Sequence, residues 1–248
     1  MRRFYLPDAR LNGPEVLALD GEESAHAARA LRLRPGDEAR VFDGRGREYL
    51  VRMEAVSPHR TMVRLQEEVA PTSAETAIPV TLAFGLIKRP AAEWLIQKAV
   101  ELGVQTLRPF VSQYAVVKPS ERWDGASPRW SRIIRDSAKQ CGRAVLCDVR
   151  PVVGWSELLE ATSDATRYVC WEKAPAGDLL SRAPFTRGNR QDGEVALIIG
   201  PEGGLTAEEV HQARDRGAHI CSLGPRTLRA ETASLAALAA VLVQLGEL

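Results

Sequence analysis

Apolar runs of strand length alternate with helix-like stretches along the second half of the chain. A short apolar run bounded by glycine, proline or polar residues indicates a buried strand. Helices are predicted at residues 91–102, ended by Gly103, and after Thr206, which has the spacing of a capping box with Glu209. This alternation predicts an α/β domain with a parallel sheet. The predicted strands lie at residues 80–87, 106–111, 168–171, 195–199 and 219–223.

Two of these strands end in glycine-rich turns. Residues 200–204 read Gly-Pro-Glu-Gly-Gly, and the strand at 219–223 runs into Gly224 and Pro225. In open parallel sheets, ligands bind outside the carboxyl ends of the strands, and glycine there lets the main chain approach a ligand closely. We expect Gly203 and Gly224 to serve this purpose. Glycine is also common where a chain merely turns, so that interpretation stays open.

The end of the chain predicts a buried helix. Residues 232–245 are almost wholly apolar and rich in alanine. A helix of this composition must be covered on most sides, and its small side chains allow another helix to approach closely. The cover is either the core of the same chain or a second copy of it.

The first 70 residues predict a different architecture, a small β-barrel. Short strand-like pieces are broken at residues 35–37 and 44–46, and one helix is predicted at residues 22–33. Residues 71–79 are small, polar and bounded by proline, which is typical of a linker. We therefore predict a barrel at residues 1–70, a linker at 71–79 and the α/β domain at 80–248.

The composition is that of an ordinary soluble globular protein, and only one stretch of the chain differs clearly from the rest in its charge. The net charge of the 248 residues is +1, so any surface that attracts nucleic acid must be local. Residues 108–150 carry nine Lys or Arg against four Asp or Glu, and include Tyr114, Trp123 and Trp130. Basic groups with aromatic rings between them suit single-stranded RNA. A charged loop beside a tryptophan of the core would give the same pattern.

Metal binding and secretion are not indicated. The four cysteines have no C-x-x-C spacing and the four histidines are scattered, so we expect no metal. Cys170 and Cys221 fall in strand-like runs and are expected to be buried and reduced. No apolar segment of a signal peptide follows the amino terminus, and no apolar run reaches membrane-spanning length. We therefore expect a cytoplasmic protein.

The two glycine-rich turns and the residues after them resemble a known family. Residues 200–204, and residues 223–233 with the sequence Leu-Gly-Pro-Arg-Thr-Leu-Arg-Ala-Glu-Thr-Ala, are similar to the ribosomal small subunit methyltransferase E family. The departures are small, since the family usually has isoleucine at Thr227, threonine at Ala230 and proline near Cys147. The resemblance covers nearly the whole chain, through His26 with Leu31 and Arg32, Lys88, residues 97–104, and Gln140 with Arg143.

The resemblance implies a fold and an activity. The family belongs to the SPOUT class, whose parallel sheet ends in a C-terminal trefoil knot around S-adenosylmethionine, and its amino-terminal domain is PUA-like. It implies methylation of uridine N3 in 16S ribosomal RNA, free or within the assembled small subunit, with no metal. It also implies a homodimer with the site at the subunit interface.

The resemblance assigns three groups of residues. The expected catalytic residues are Arg229, Arg226 and Glu231. The expected RNA-binding residues are Arg2, Arg3, Arg32, Lys88, Gln140 and Arg143. The expected cofactor-binding residues are Glu172, Gly200, Pro201, Glu202, Gly203, Leu223, Gly224 and Leu228.

Arg229 is the expected charge-stabilising residue. Removal of the N3 proton leaves negative charge shared with O2 and O4 of uracil, which a planar guanidinium can hold through paired donors. Arg229 lies in the turn that the resemblance places against the cofactor, whereas Glu231 would favour the positive end of the following helix. A salt bridge from Arg229 to Glu202 or Glu231 that only holds the turn is the alternative.

Other classes of function explain less of the sequence. A nicotinamide dehydrogenase would need G-x-G-x-x-G after an early strand and an acidic residue about twenty positions later, and this arrangement is absent. An RNA-binding adaptor without catalysis would leave the two glycine-rich strand ends without a role. A SPOUT methyltransferase that acts on another RNA site would share every feature and stays open.

Overall fold

The chain folds into two compact units. The structure, a computed structural model, describes residues 1–13, 15–118, 127–175, 177–183 and 193–248. The first unit comprises Met1–Glu75 with Arg135–Leu146, and the second comprises Thr76–Ile134 with Cys147–Leu248. The boundary after Glu75 lies within residues 71–79, the predicted linker, whereas nothing in the sequence indicated that Arg135–Leu146 belongs to the first unit.

A five-stranded sheet forms the framework of the first unit. Its strands are β1 (Arg3–Tyr5), β2 (Val16–Ala18), β3 (Glu38–Phe42), β4 (Glu48–Ala55) and β5 (Met62–Val69). They lie in the order β1-β3-β4-β5-β2, with β1 parallel to β3 and the other pairs antiparallel. Alternate residues of β4 are buried, and Tyr49, Val51 and Met53 pack in the core of this unit.

The helix predicted at residues 22–33 is shorter than expected. Helix α1 covers Gly21–Ala25, and its cap Asp20 accepts a hydrogen bond from the main-chain N–H of Glu23 at 2.7 Å. A π-helical turn follows at His26–Ala30, and Arg32 has a φ of 52°. The prediction was wrong beyond residue 30, because a left-handed backbone at Arg32 cannot continue a right-handed helix.

A buried carboxylate connects this sheet to the Arg135–Leu146 segment. Glu48 is fully buried and accepts hydrogen bonds from Nε and Nη2 of Arg3 at 3.1 and 3.0 Å. Arg3 also donates to the carbonyl oxygens of Ala138 at 2.8 Å and of Arg143 at 3.0 Å. One guanidinium thus joins β1, β4 and the returning segment.

The pKa of the Glu48 carboxyl is lowered in the folded chain. Burial alone would raise this pKa, but hydrogen bonds from the Arg3 guanidinium and from the N–H and hydroxyl of Thr72 outweigh burial. A carboxyl whose pKa falls on folding stabilises the fold fully above its unfolded value, and the contribution disappears as the pH falls through the folded value. This pair therefore makes the first unit sensitive to acid.

Seven parallel strands form the sheet of the second unit. They are β6 (Val80–Gly85), β7 (Thr106–Val111), β8 (Asp148–Val149), β9 (Val153–Gly154), β10 (Thr166–Cys170), β11 (Val195–Ile199) and β12 (His219–Cys221). Their order is β12-β10-β11-β6-β7-β8, with β9 also paired to β7, and each pair is parallel. The predicted α/β fold with a parallel sheet is confirmed.

Helices cover this sheet. They are α2 (Arg89–Glu101), α3 (Pro128–Cys141), α4 (Trp155–Ala161), α5 (Ala207–Asp215) and α6 (Ala230–Leu245), and the second half of α3 belongs to the first unit. Side chains of α4 and α5 pack with Ala83, Val169 and Ile198 of the sheet, whereas α6 packs against α2, β6 and β11. All five residues of β11 are buried, as expected for a strand covered on both faces.

Helix α5 begins as the sequence predicts, and α6 contains the predicted apolar helix. Thr206 caps α5, because its hydroxyl accepts from Glu209 N at 3.1 Å while the Glu209 carboxylate accepts from Thr206 N at 2.8 Å. Helix α6 contains the apolar run and ends at Gly246, whose φ is 78°. Within the described ranges no helix has both the length and the apolarity needed to span a bilayer.

Among the described residues of the basic stretch at 108–150, the aromatic side chains do not share one exposed face. Trp130 is 2% exposed and belongs to the core, so its predicted role in RNA stacking was wrong. Trp123 lies outside the described residues. Tyr114, by contrast, is 53% exposed.

Gln140 and Arg143 do not share a helical face. Helix α3 ends at Cys141, and Gly142 then takes a φ of 92°, so the helical spacing assumed for this pair does not apply. Gln140 is exposed, whereas Arg143 is buried and donates to Glu75 at 2.6 Å.

Candidate functional site

A cavity of about 380 Å³ lies at the carboxyl edge of the sheet in the second unit. Because the strands are parallel, the segments that follow β10, β11 and β12 all leave the sheet at this edge. These three segments and the start of α6 form the walls. The cavity is lined by residues 170–172, 199–205, 223–224, 226–230 and 233.

The cavity brings together residues that the sequence assigned separately. Of the expected catalytic residues, Arg226 and Arg229 line it, whereas Glu231 is half-buried in the first turn of α6 and does not. The sequence did not assign the apolar residues Leu205 and Ala233, which also line the cavity. In the sequence they resemble ordinary core residues, because their place in the lining depends on segments that are distant in the chain. All the expected cofactor-binding residues line the cavity: Glu172, Gly200, Pro201, Glu202, Gly203, Leu223, Gly224 and Leu228.

The chain after β10 lies against the outer edge of β12. The main-chain N–H of Ser222 donates to Asp178 at 2.7 Å, and the N–H of Leu180 donates to Ser222 at 3.0 Å. On the other side, Trp171 N donates to the carbonyl oxygen of Cys221 at 2.9 Å. The main-chain groups of successive residues in a strand point to opposite edges. Cys221 bonds to the chain at the end of β10 and Ser222 bonds to residues 178–180, so β12 lies between them.

Contacts within the chain account for glycine at the turns. A Cβ at Gly203 would lie 2.5 Å from the carbonyl oxygen of Tyr114, and a Cβ at Gly85 would lie 2.4 Å from Pro201. Gly224 has open space around it, but its φ of 103° disfavours any side chain. Ligand approach is therefore not needed to explain glycine at positions 203 and 224, and the alternative that folding requires them is sufficient.

Glu209 ties the loop after β7 to the turn after β11. Its Oε1 accepts a hydrogen bond from Gln113 N at 2.9 Å, while its Oε2 completes the capping box of α5. The hydroxyl of Ser112 also donates to the carbonyl oxygen of Gly204 at 3.4 Å. The main chain around Tyr114 is thereby fixed beside the glycine turn. The sequence identified Glu209 only as a helix cap, because its second partner is 96 residues away.

Arg226 and Arg229 are exposed at the cavity, and within the described part of the chain their side chains form no ion pair. The alternative salt bridge from Arg229 to Glu202 or Glu231 is therefore absent there. Glu202 instead accepts from the main-chain N–H of Lys88 at 3.2 Å. Both guanidinium groups are available to an anionic or hydrogen-bonding ligand.

Burial keeps the thiols near the cavity protonated. Cys170 and Cys221 are register partners on β10 and β12, and burial raises the pKa of Cys221 to about 11 and raises that of Cys170 as well. Neither is a thiolate nucleophile at neutral pH, and both are free and buried, as predicted. Across the residues that the structure describes, no group of three or more His, Cys, Asp or Glu could hold a metal ion.

The residues expected to contact RNA divide into an exposed and a buried group. Arg2, Arg32 and Gln140 are exposed on the first unit, and Lys88 is exposed at the cap of α2 in the second.

Arg3 and Arg143 form the buried group, with side chains 6% and 3% exposed. Their charges are matched inside the first unit by Glu48 and Glu75, respectively. A guanidinium whose charge is neutralised by a carboxylate inside the fold is not available to bind phosphate. The assignment of these two arginines to RNA binding is therefore corrected to a structural role.

Comparison with known proteins identifies the class of protein to which this fold and cavity belong. Residues 74–242 match the family described as RNA methyltransferase domain, and residues 19–61 match the family described as RNA methyltransferase PUA domain. The chain is thus an RNA methyltransferase with a PUA domain, as the sequence predicted.

Relatives of known identity narrow this class. Ribosomal RNA small subunit methyltransferase E of Bacillus subtilis is 30% identical over 98% of this chain and 97% of its own length. The protein of that name from Mycobacterium bovis is 31% identical over 96% and 90%. The chain belongs to the ribosomal RNA small subunit methyltransferase E family. A crystal structure of the Neisseria gonorrhoeae member bound to S-adenosyl methionine matches with a TM-score of 0.83, 31% identity and 98% coverage of both chains.

Glu209→Ala is expected to release the loop after β7. The partly buried hydrogen bond to Gln113 N is lost, so the amide hydrogen of Gln113 should exchange at least about tenfold faster, equivalent to ~1.4 kcal/mol. Glu208→Ala is the matched control, because this neighbouring carboxylate is exposed and accepts a hydrogen bond from the side chain of Gln212 on its own helix. Unchanged exchange at Gln113 in a folded Glu209→Ala variant would show that other contacts hold the loop.

Proposed function

We propose that this protein transfers a methyl group from S-adenosylmethionine to N3 of a uridine in 16S ribosomal RNA. The observation that carries the proposal is a cavity, at the carboxyl edge of a parallel sheet, that is bounded by two glycine turns and by two arginines without an ion pair among the described residues. Membership of a family of small-subunit RNA methyltransferases supplies the substrate class.

The cavity suits an adenosine-containing cofactor with an amino-acid tail. Its volume of about 380 Å³ is within the range of small-molecule sites, ~300–1,000 Å³. Ile199, Leu205 and Leu228 offer apolar surface to an adenine, and the glycine turns expose main-chain donors and acceptors to its polar edge. Glu172 and Glu202 add carboxylates that can accept from ribose hydroxyls or an amino group. The cofactor bound to the Neisseria gonorrhoeae relative supports this assignment.

When bound, the cofactor supplies a methyl group that its sulfonium already activates. The chain has to place uridine N3 in line with that methyl group and to stabilise the charge that appears on O2 and O4 when N3 loses its proton. Arg229, at the N-cap of α6, presents planar donors for this charge, and no described carboxylate competes for them. Arg226 lines the same cavity as a second donor. Glu231 lies in the first turn of α6, where the helix dipole stabilises its negative charge.

A trefoil knot of the SPOUT type is the topology that we propose for the C-terminal chain. Strand β12 is bonded to β10 on one edge and to residues 178–180 on the other, and Gln244 of α6 donates to the carbonyl oxygen of Leu180 at 3.1 Å. The segment between β10 and β11 therefore contacts β12 and α6 from outside. This arrangement supports passage of the last strand and helix through that loop.

RNA contact is proposed for the exposed members of the predicted set. Arg2, Arg32 and Gln140 lie on the unit that contains the PUA match, and Lys88 lies at the start of α2. Positive side chains on a chain of net charge +1 provide a local attraction for phosphate rather than a global one. An RNA substrate and reduced thiols both fit the cytoplasm as the site of action.

We propose a homodimer formed through α6. Thr232, Ala236 and Val243 are exposed at helical spacing on this otherwise buried, apolar helix, with Ala239 and Ala240 half-buried between them. Small side chains in such a row allow close approach of a second helix. Light scattering at micromolar concentration should give twice the chain mass of 27.2 kDa, and Ala236→Arg should shift it towards the monomer. A monomeric mass for the unmodified protein would contradict the proposal.

The reaction is tested with purified protein, S-adenosylmethionine labelled in its methyl group, and either naked 16S ribosomal RNA or isolated small subunits. Nucleoside mass spectrometry should find the label in 3-methyluridine, and calorimetry should show binding of the cofactor to the protein alone. Label in another nucleoside would indicate a different RNA site. Absence of cofactor binding at millimolar concentration would favour an RNA-binding adaptor.

Arg229→Ala should slow single-turnover methylation on the order of a hundredfold or more, comparable with the loss of one oxyanion donor. Cofactor affinity by calorimetry should stay within a few fold, because the side chain forms no described ion pair that holds the turn. Arg214→Ala, at an exposed arginine of α5 outside the cavity lining, is the control and should react normally. A rate loss explained entirely by weaker cofactor binding would move the charge-stabilising role to Arg226.

A further inference from the structure

We infer that Tyr114 is a base-stacking residue, whose ring packs on an unpaired base of the RNA substrate at the rim of the cavity. The inference rests on the proposed function and adds to it the residue that holds the nucleotide. Its basis is an aromatic side chain that is exposed although its main chain is held rigidly beside the cavity.

Tyr114 is 53% exposed in the loop that follows β7. Phe84, Phe110 and Trp130 of the same unit are buried in its core, whereas Trp94 on α2 is also exposed, at 45%. An exposed ring on a mobile loop would need no explanation, since single exposed apolar groups are common on surfaces. The position of this ring is different because its loop is fixed at several points.

Three contacts fix the main chain on both sides of this ring. Gln113 N donates to the buried carboxylate of Glu209 at 2.9 Å, and Ala115 N donates to the carbonyl oxygen of Ser112 at 3.0 Å. The carbonyl oxygen of Tyr114 lies so close to Gly203 that no side chain fits there. Because this main chain is already ordered, a ligand that packs on the side chain has to order little more than the torsions of the ring itself.

The side chain of Tyr114 leaves the main chain next to the wall of the cavity. Gly203 lines the cavity, and a Cβ placed on it would lie 3.0 Å from the Cβ of Tyr114. Exposed cations lie on segments next to the cavity: Lys118 on the same loop as Tyr114, Lys88 on a residue whose N–H bonds to Glu202 of the turn, and Arg226 in the lining. An aromatic face amid positive side chains matches a nucleobase attached to phosphates, because stacking is available to every base and the cations attract the backbone.

Two other groups could pack on this ring, and each predicts a change in a different measurable quantity. Contact with the adenine of the cofactor would make cofactor affinity depend on Tyr114. Contact with a second copy of the chain would make the oligomeric mass depend on it. Stacking on RNA predicts that neither quantity changes.

The test compares Tyr114→Ala and Tyr114→Leu with Tyr114→Phe and Tyr114→Trp. The first two should raise KM for the RNA substrate about tenfold or more, equivalent to ~1.4 kcal/mol, with a smaller effect on kcat, whereas the aromatic variants should stay near the unmodified protein. Val116→Ala, at a more exposed apolar residue of the same loop, is the matched control. Rescue by a flat ring but not by leucine distinguishes stacking from simple apolar packing.

A second measurement does not depend on methylation. Single-stranded RNA that contains 4-thiouridine is irradiated with the protein, and mass spectrometry should locate the crosslink at Tyr114. Crosslinking without any methylation would support the inference and contradict the proposed reaction. Normal methylation by Tyr114→Ala with an unchanged KM, or a loss of cofactor affinity or dimer mass in that variant, would overturn the inference and leave the reaction standing.

Discussion

The pairing of β12 with β10 is the interaction on which the site depends. Strand β11 precedes β12 in the chain, yet β12 lies beyond β10, with Cys170 and Cys221 in register. Because the three strands are parallel, their ends lie at one edge, and this order places the turn after β12 beside the segment after β10, so that turns far apart in sequence line one cavity. Residues 178–180 bond the outer edge of β12, which satisfies main-chain groups that an edge strand would leave open.

The shape of the cavity is set by packing within the chain before any ligand binds. Pro201 fills the space over Gly85, and the loop of Tyr114 fills the space over Gly203, so both glycines are explained by neighbours rather than by a cofactor. Glu209 reinforces this arrangement, because one carboxylate caps α5 and also holds the loop after β7. Groups fixed in this way pay little of the ordering cost of binding, which is what preorganisation of a binding site requires.

The sequence predicted those parts of the fold that local patterns encode. The capping box at Thr206, the apolar strand β11 and the glycine turn after it each depend on a few consecutive residues. It misassigned Arg3 and Arg143, because their partners Glu48 and Glu75 are distant in the chain and a buried arginine looks like an exposed one in sequence. It likewise treated Trp130 and Tyr114 alike, although one lies in the core and the other is exposed next to Gly203. Burial is a property of tertiary contacts, and no local pattern reports it.

The two arginines of the cavity, which form no ion pair with the described residues, carry charges that a cover over the site would strengthen. Arg226 and Arg229 are exposed, so in the chain by itself water surrounds their charges. Two unit charges about 4 Å apart interact by ~1 kcal/mol in water and by ~4 kcal/mol at the lower effective dielectric near a protein surface. In the reaction and the dimer proposed above, a nucleotide that packs over the rim, or a second copy of the chain at α6, would displace that water. The charge on the uracil oxygens would then be stabilised most strongly when the substrate is in place, and the two arginines would favour the reacting state over other anions.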